Sequence, residues 1–268
     1  MNDKLDSMRR AGEVNLGAIE HGFSFAHPGI TTREIDAEME GYIRDHGCTP
    51  SFKGYQPDGY ASPFPATACI SPNSVVVHGV PGDYVLQPGD LLTIDVGTEY
   101  NGWHVDAART RVIPGVMNDL QKQHAYEAND LIDATEAILE AQLSVVKNDC
   151  TFLQMILAAE AAAAEHGATI MPQWGGHSIG DKVHLPPFIP SAIHRNTSKI
   201  KQKIEEKQFA RQTLTAGQTI CIEPVVTMGT NDITIDEDGW TIRQTQHHLT
   251  AHTERCLLVL ENGYELFT

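Results

Sequence analysis

With 268 residues, 41% of them apolar and 20% charged, the chain has an ordinary globular composition and enough length to bury a substantial core. Acidic side chains outnumber basic ones 35 to 19, a formal charge of −16, and long-range repulsion then works against a general DNA, RNA or anionic-membrane surface. The five cysteines form no CxxC pair, MNDKLDSMRRAGE has no apolar signal core, and no apolar run reaches 18 residues, so a monomeric cytoplasmic protein is expected.

In chain order, a helix is predicted over residues 3–22, with Leu5, Met8, Leu16 and Ile19 on one stripe and Gly12 weakening that stripe. Thr31 and Glu34 make a capping box that opens a second helix; Ile35, Met39, Tyr42 and Ile43 mark its buried face, and Gly47 ends it. LLTIDVG (91–97) and HVDAARTRVI (104–113) read as strands, being short and rich in β-branched residues. A long helical pattern covers 118–147, and Thr151 with Gln154 opens another that runs to Gly167. QTICIEPVVT (218–227) and RCLLVL (255–260) read as further strands. Helices and strands mix without a regular βα repeat, no GxGxxG or GxxxxGKS/T loop is present, and no low-complexity linker interrupts the chain. The expectation is an α+β architecture in one unit over 1–268.

TIDVGTEYNGWHVDAART is the most informative stretch. Asn101-Gly102 is a strong hairpin turn between two strand-like runs. In a hairpin with a two-residue loop, opposed positions have numbers of opposite parity, as 95 and 106 do. Asp95 and Asp106 therefore share a face, opposed or diagonal, within reach of one ion. Two carboxylates on one face of apolar strands resist desolvation unless something positive lies between them; a solvated acidic face is the plain alternative. His104 shares the face of Asp106 and reads as a structural neighbour rather than a ligand.

Glu223 in TICIEPVV and Glu254 before CLLVL are acids in strand contexts where an unpaired glutamate is costly to bury. Pairing with Arg243 or Arg255 is the alternative. GGHSIGDKVHLPP places His177 and His184 in a Gly-rich segment where backbone can approach a ligand. Four acids and one histidine are a donor set for Mn, Fe, Co or Zn rather than a thiolate site, and four carboxylates balance two divalent ions.

PSFKGY (50–55), CISPNSVVVHGVP (69–81), IDVGTEYNGWHVDAART (94–110), GGHSIGDKVH (175–184), CIEPVV (221–226), DGW (238–240) and HTERCLLV (252–259) resemble the type I methionine aminopeptidases of the pita-bread fold, over essentially the whole chain. The resemblance implies a curved antiparallel sheet covered by helices and metal-assisted removal of the N-terminal methionine from nascent polypeptides. It assigns Asp95 to one of two divalent ions and His177 and Glu223 to the other, with Asp106 and Glu254 shared. Glu223 would also move the proton, His78 would lie near the substrate's amino end, and His184 would polarise the scissile carbonyl. Tyr55, Phe64, Cys69, Val183 and Trp240 would form the methionine pocket, with Phe52 adding to its wall.

The chain departs from the family pattern in several places. Ser178 stands where the family's GHGIG has glycine, and VHLPP replaces an FHEEP-like string, so Val183 in place of an aromatic implies a wider pocket. The run 56–68 is longer than usual, and 186–213 reads as an insertion whose HRNTSKIKQKIEEK is basic against an acidic whole. That segment reads as a solvated loop or helix, with a ribosome contact as the other reading. Two rival functions fit the same fold. A proline-directed aminopeptidase P or prolidase carries an extra domain before the catalytic one, whereas only 94 residues precede Asp95 here. A non-catalytic binding module of this fold would be expected to have lost ligands, whereas all five positions are filled.

Overall fold

The computed structural model describes residues 2–268. Two helices come first, α1 (Asn2–Phe25) and α2 (Thr32–Asp45), followed by strands β1 (Thr49–Pro50), β2 (Cys69–Pro72), β3 (Val75–Val77), β4 (Leu91–Tyr100) and β5 (Trp103–Val112). A second helix pair, α3 (Asp119–Leu143) and α4 (Phe152–His166), leads to β6 (Thr169–Ile170), β7 (Gly175–Ser178), β8 (Leu185–Pro190) and α5 (Lys199–Phe209). The last third is β9 (Thr219–Ile222), β10 (Val225–Thr227), β11 (Ile233–Ile235), β12 (Ile242–Gln244), β13 (Thr250–His252), β14 (Arg255–Val259) and β15 (Tyr264–Leu266).

Local chemistry sets the helix boundaries. Thr31 accepts the Glu34 N–H while Glu34 Oε2 accepts the Thr31 N–H at 2.8 Å, so the expected capping box forms. Thr151 and Gln154 form a second box on α4, and Asn118 with Gln121 a third on α3. Each such cap contributes about 1 kcal/mol by satisfying N–H groups that the helix leaves without partners. Gly167, at φ 64°, closes α4 in the left-handed conformation that side chains resist.

Every strand pair is antiparallel. The β4–β5 hairpin carries β1 and β2 on the other edge of β4, and β12 lies between β11 and β3. β10 lies between β13 and β6, while β15-β14-β9-β7-β8 makes a five-stranded sheet. α1 covers β4 and β5, with α2 packed beside it and against β1; α3 covers β5, β10 and β13, with α4 beside it and against β6 and β8. Helices thus lie outside a set of antiparallel sheets, the arrangement the sequence resemblance implies. Ile35, Met39 and Ile43 of α2 pack with Ile70, Ile94 and Val96 in one core cluster; Phe152 and Met155 of α4 pack with Ile220, Ile222 and Leu257 in another.

Three local expectations change. The run 218–227 is two strands, because Pro224 has no N–H for the ladder and the chain passes from one sheet to another there. Within 186–213, β8 is an integral strand whose Ile189 is buried, whereas α5 has no buried residue. The buried stripe of α1 runs through small residues rather than Leu16, which is only half-buried. Ala11, Gly12, Ala18 and Gly22 let the helix approach closely, and buried Asn15 donates to Val96 O at 2.5 Å and Thr98 Oγ1 at 3.2 Å. A Cβ on Gly12 would stand 2.1 Å from Phe267 O.

Gly12 is therefore the contact point between α1 and the C-terminal residues, and the weakness it brings to the helix is offset by close packing. Helix propensity alone makes Gly12→Ala stabilising by about 1 kcal/mol. The expected result is the opposite sign, destabilisation by about 1–3 kcal/mol from overpacking, read from urea unfolding midpoints.

Candidate metal centre and cavity

The hairpin register fixes the first two acids. Tyr100 faces Trp103 across Asn101 and Gly102, both at positive φ (52° and 79°), so Asp95 lies opposite Ala108 and Asp106 opposite Gly97. The two aspartates are diagonal neighbours on one face, and both are buried, 9% and 2% exposed. Gly97 leaves room for Phe52, whose ring would lie 2.8 Å from a Cβ there.

The two glutamates share a seam. β9 belongs to the five-stranded sheet and β10 to the sheet with β13, and Glu223-Pro224 is the step between them. The returning chain makes the same crossing in reverse, from β13 to β14, through Thr253 and Glu254. Because Val225 pairs with His252 and Ile222 with Arg255, the two crossings lie side by side. The Glu254 N–H donates to Ala108 O at 3.1 Å, which ties the seam to the hairpin. β7 brings His177 in from the neighbouring strand.

All five expected donors meet. Carboxylate oxygens of Asp95, Asp106 and Glu254 lie within 4.8 Å of one another. His177 Nε2 is 3.6 Å from Glu223 Oε1 and 4.0 Å from Glu254 Oε1. Arginine pairing does not account for the glutamates: Arg243 binds Asp236 at 2.7 Å and Arg255 reaches Glu136 at 3.4 Å. Arg109 is close, but it donates to the Ala108 and Glu254 backbone carbonyls rather than to a carboxylate.

An oxygen each of Asp95, Asp106 and Glu254, and Nε2 of His177, are buried without a hydrogen-bond partner. Such atoms cost about 1–3 kcal/mol each when nothing satisfies them. Burial first, and then the neighbouring carboxylates, push Asp106, Glu223 and Glu254 well above the usual carboxylate range. Asp95 rises to about 6 for the same first reason, held back by His252. His177 is pushed down to about 4 by burial, and its Nδ1 lies 3.0 Å from Ser178 O. A carbonyl only accepts, so Nδ1 carries the proton and Nε2 turns a lone pair toward the carboxylates. Acids that cannot ionise together and a neutral imidazole aimed at them fit divalent cations.

Above the donors is a cavity of about 180 Å³. Tyr55, Phe64, Cys69 and Trp240 line it as expected, with Phe52, and so do His78 and His184. Phe64 is fixed by reciprocal backbone bonds: its N–H donates to Tyr55 O at 2.8 Å, and Gly54 N–H donates to Phe64 O at 2.9 Å. Asp36 of α2 holds the end of this loop by accepting the Thr67 and Ala68 N–H groups at 3.0 and 2.8 Å. Val183 is buried against Phe52, Phe64 and Trp240 but does not line the cavity; its neighbour His184 takes that face. The His184 ring lies tilted to both neighbours, its centroid 4.4 Å from that of His177 and 5.0 Å from that of Tyr55. Burial pushes His78 down to about 4, and its backbone is held at φ 57°, a conformation uncommon outside glycine. His104 pairs with Ser51 at 2.9 Å, a structural neighbour as expected.

Tyr60, Trp174 and His252 are among the cavity residues that went unassigned in the sequence. Tyr60 stacks on Trp240 at 4.1 Å from within the long 56–68 run, where no periodicity marks it. Trp174 lies just before the Gly-Gly-His177 segment without a local signal of its own. His252 had one, since it precedes Glu254 by two residues in an extended run and so shares its face.

Metallopeptidase family M24 matches residues 6–261 of the chain. A methionine aminopeptidase of Clostridium perfringens is 34% identical over 271 residues, covering 99% of this chain and 96% of that one. The crystal structure of methionine aminopeptidase from Rickettsia prowazekii superposes with a TM-score of 0.85 at 25% identity, covering 100% of this chain and 98% of that one. A prolidase from Pyrococcus horikoshii shares the fold at TM-score 0.70 and 20% identity, with this chain spanning 62% of its length.

Cation binding must expel protons from the raised carboxylates, so apparent metal affinity should rise with pH. Calorimetry in buffers of different ionisation enthalpy should show proton release near pH 6.5. Without metal, the raised carboxylates stay protonated when folded and ionise when unfolded, so stability falls as pH rises toward their folded pKa values. The lowered histidines act in the opposite sense, but only below about pH 6.5, their unfolded value. Between pH 6.5 and 8, the Tm gap between Mn-loaded and chelated protein should therefore widen. At metal concentrations a hundredfold above Kd the gap corresponds to about 2.7 kcal/mol.

Proposed function

The chain belongs to metallopeptidase family M24 and is a metal-dependent aminopeptidase, and we propose that it removes N-terminal methionine from newly made polypeptides with two divalent ions. The observation that carries this reading is the cluster of unpartnered carboxylate and imidazole atoms at the floor of an apolar cavity.

Asp95 would hold one ion, His177 and Glu223 the other, and Asp106 and Glu254 both; Mn, Fe, Co and Zn all suit this set. When bound, such ions lower the pKa of water and neutralise charge that develops during amide hydrolysis. The remaining work falls to side chains. Glu223, with a carboxylate oxygen toward the cavity, accepts the proton of the attacking water and returns it to the leaving nitrogen. His184 stays neutral because packing around its ring and the nearby His177 and His78 imidazoles oppose its protonation. It donates one N–H to the scissile carbonyl oxygen, stabilising the oxyanion. His78 would lie near the substrate's amino end. A free terminal amine has a lone pair for the metal centre that an internal peptide nitrogen lacks, which limits cleavage to the first residue.

Phe52, Tyr55, Phe64, Cys69, Trp240 and the Tyr60 ring make the far end of the cavity apolar and tolerant of sulfur. Val183 supports that wall from behind. The five cysteines are unpaired and buried, in keeping with a reducing cytoplasm. Among the described residues, no helix is long and apolar enough to cross a membrane. The chain acts as a monomer in this reading, and the exposed Lys199, Lys201, Lys203 and Lys207 of α5 offer the surface for a ribosome contact.

Methionine release from Met-Ala-Ser, with Leu-Ala and Xaa-Pro peptides turned over far more slowly, is the expected result; cleavage of Xaa-Pro alone overturns the substrate assignment. Glu223→Gln should keep the fold by circular dichroism and lose at least about 10²-fold in kcat. Tyr60→Ala should raise KM for methionyl peptides more than it lowers kcat, since Tyr60 touches the pocket rather than the reacting atoms.

A further inference from the structure

Glu223 stands between two imidazoles, not one. His177 Nε2 lies 3.6 Å from its Oε1, and His252 Nε2 lies 3.3 Å from its Oε2. His252 is 2% exposed, and its Nε2 has no hydrogen-bond partner, so the short approach to Glu223 lacks the alignment of a hydrogen bond. Ligand atoms of Glu223, His252 and Glu254 all lie within 4.8 Å of one another, as do those of His177, Cys221 and Glu254.

The backbone of His252 is held on two sides, which fixes where the ring points. It pairs with Val225 across β10, its N–H donates to Thr110 Oγ1 at 3.2 Å, and Thr110 Oγ1 donates to its carbonyl at 2.7 Å. A buried imidazole nitrogen held in place and left unpartnered beside two carboxylates needs an occupant between them.

We propose that His252 is a sixth protein donor of the metal centre, joining Glu223 and Glu254 through Nε2. The inference rests on the five-residue centre proposed above and extends it. With one imidazole, only one of two ions has a nitrogen ligand and the other sees oxygen alone. With His252 beside Glu223, the ion held by His177 and Glu223 can have two, which raises its preference for Co and Zn, to which imidazole is suited, relative to Mn.

The test uses the whole protein, stripped by chelation and titrated with Co(II) or Mn(II) alone. His252→Gln and His252→Ala are compared with wild type and with His104→Gln, which removes a histidine outside the cluster. Unfolding of the chelated proteins shows which His252 variant keeps the fold. The expected result is at least a tenfold loss of affinity for one Co(II) equivalent, a smaller loss for Mn(II), and a changed Co(II) visible spectrum, with His104→Gln unchanged. A wild-type isotherm and spectrum in the His252 variants overturn the proposal while leaving the five-residue centre intact. Wild type that takes up no metal overturns the centre itself. Spin-echo modulation of Mn(II)-loaded wild type needs no variant: two imidazole nitrogens support the proposal, and one overturns it.

Discussion

Four carboxylates converging on one point, three of them buried and Glu223 partly so, are the constraint from which the rest of this structure follows. Asp95, Asp106, Glu223 and Glu254 have no arginine or lysine partner among the described residues; lost hydration raises the pKa of all four, and repulsion from neighbouring carboxylates raises those of Asp106, Glu223 and Glu254 further. Only positive charge placed among them makes the arrangement favourable. In the proposed function the same feature would serve as fold constraint and catalytic device, because ions that relieve the repulsion also activate water.

The fold delivers these groups through two unlike constructions. A tight hairpin places the aspartates by register, a local and rigid solution. The glutamates are placed by a seam, where two chain segments cross between sheets in opposite directions, and Pro224 enforces one crossing by withholding an N–H. Catalytic groups at strand ends and crossings are freed from ladder pairing, so their side chains can turn into the cavity. The hydrogen bond from Glu254 N–H to Ala108 O joins the two constructions across more than a hundred residues of sequence. α1 supports the hairpin from behind, and its small residues let Asn15 reach the β4 backbone.

The cavity divides chemically into a charged floor and an aromatic wall, and that division separates two functions. In the proposed function the floor would serve hydrolysis at a free amine, and the wall, with Tyr60 stacked on Trp240 and Phe64 edge-on to it, would select a medium-sized apolar side chain. Val183 stands where an aromatic is usual in the resemblance, yet it packs behind the wall. Tyr60, from the longer 56–68 loop, supplies aromatic surface on the cavity side instead.

Much of this was legible in the amino-acid order. Thr31, Thr151 and the Asn101-Gly102 turn act on neighbours a few residues away, so caps, helices and the hairpin could be read locally. Parity alone placed Asp95 and Asp106 on one face, and the ordered set with His177, Glu223 and Glu254 pointed to a metal centre. Tertiary packing decided what no local pattern encodes: that the chain changes sheets at Pro224, that Gly12 is where α1 meets Phe267, that Val183 turns away while Tyr60 turns in, and which carboxylate His252 approaches. Those outcomes depend on groups far apart in sequence competing for the same volume and the same hydrogen bonds, which are settled only when the sheets and helices close on one another.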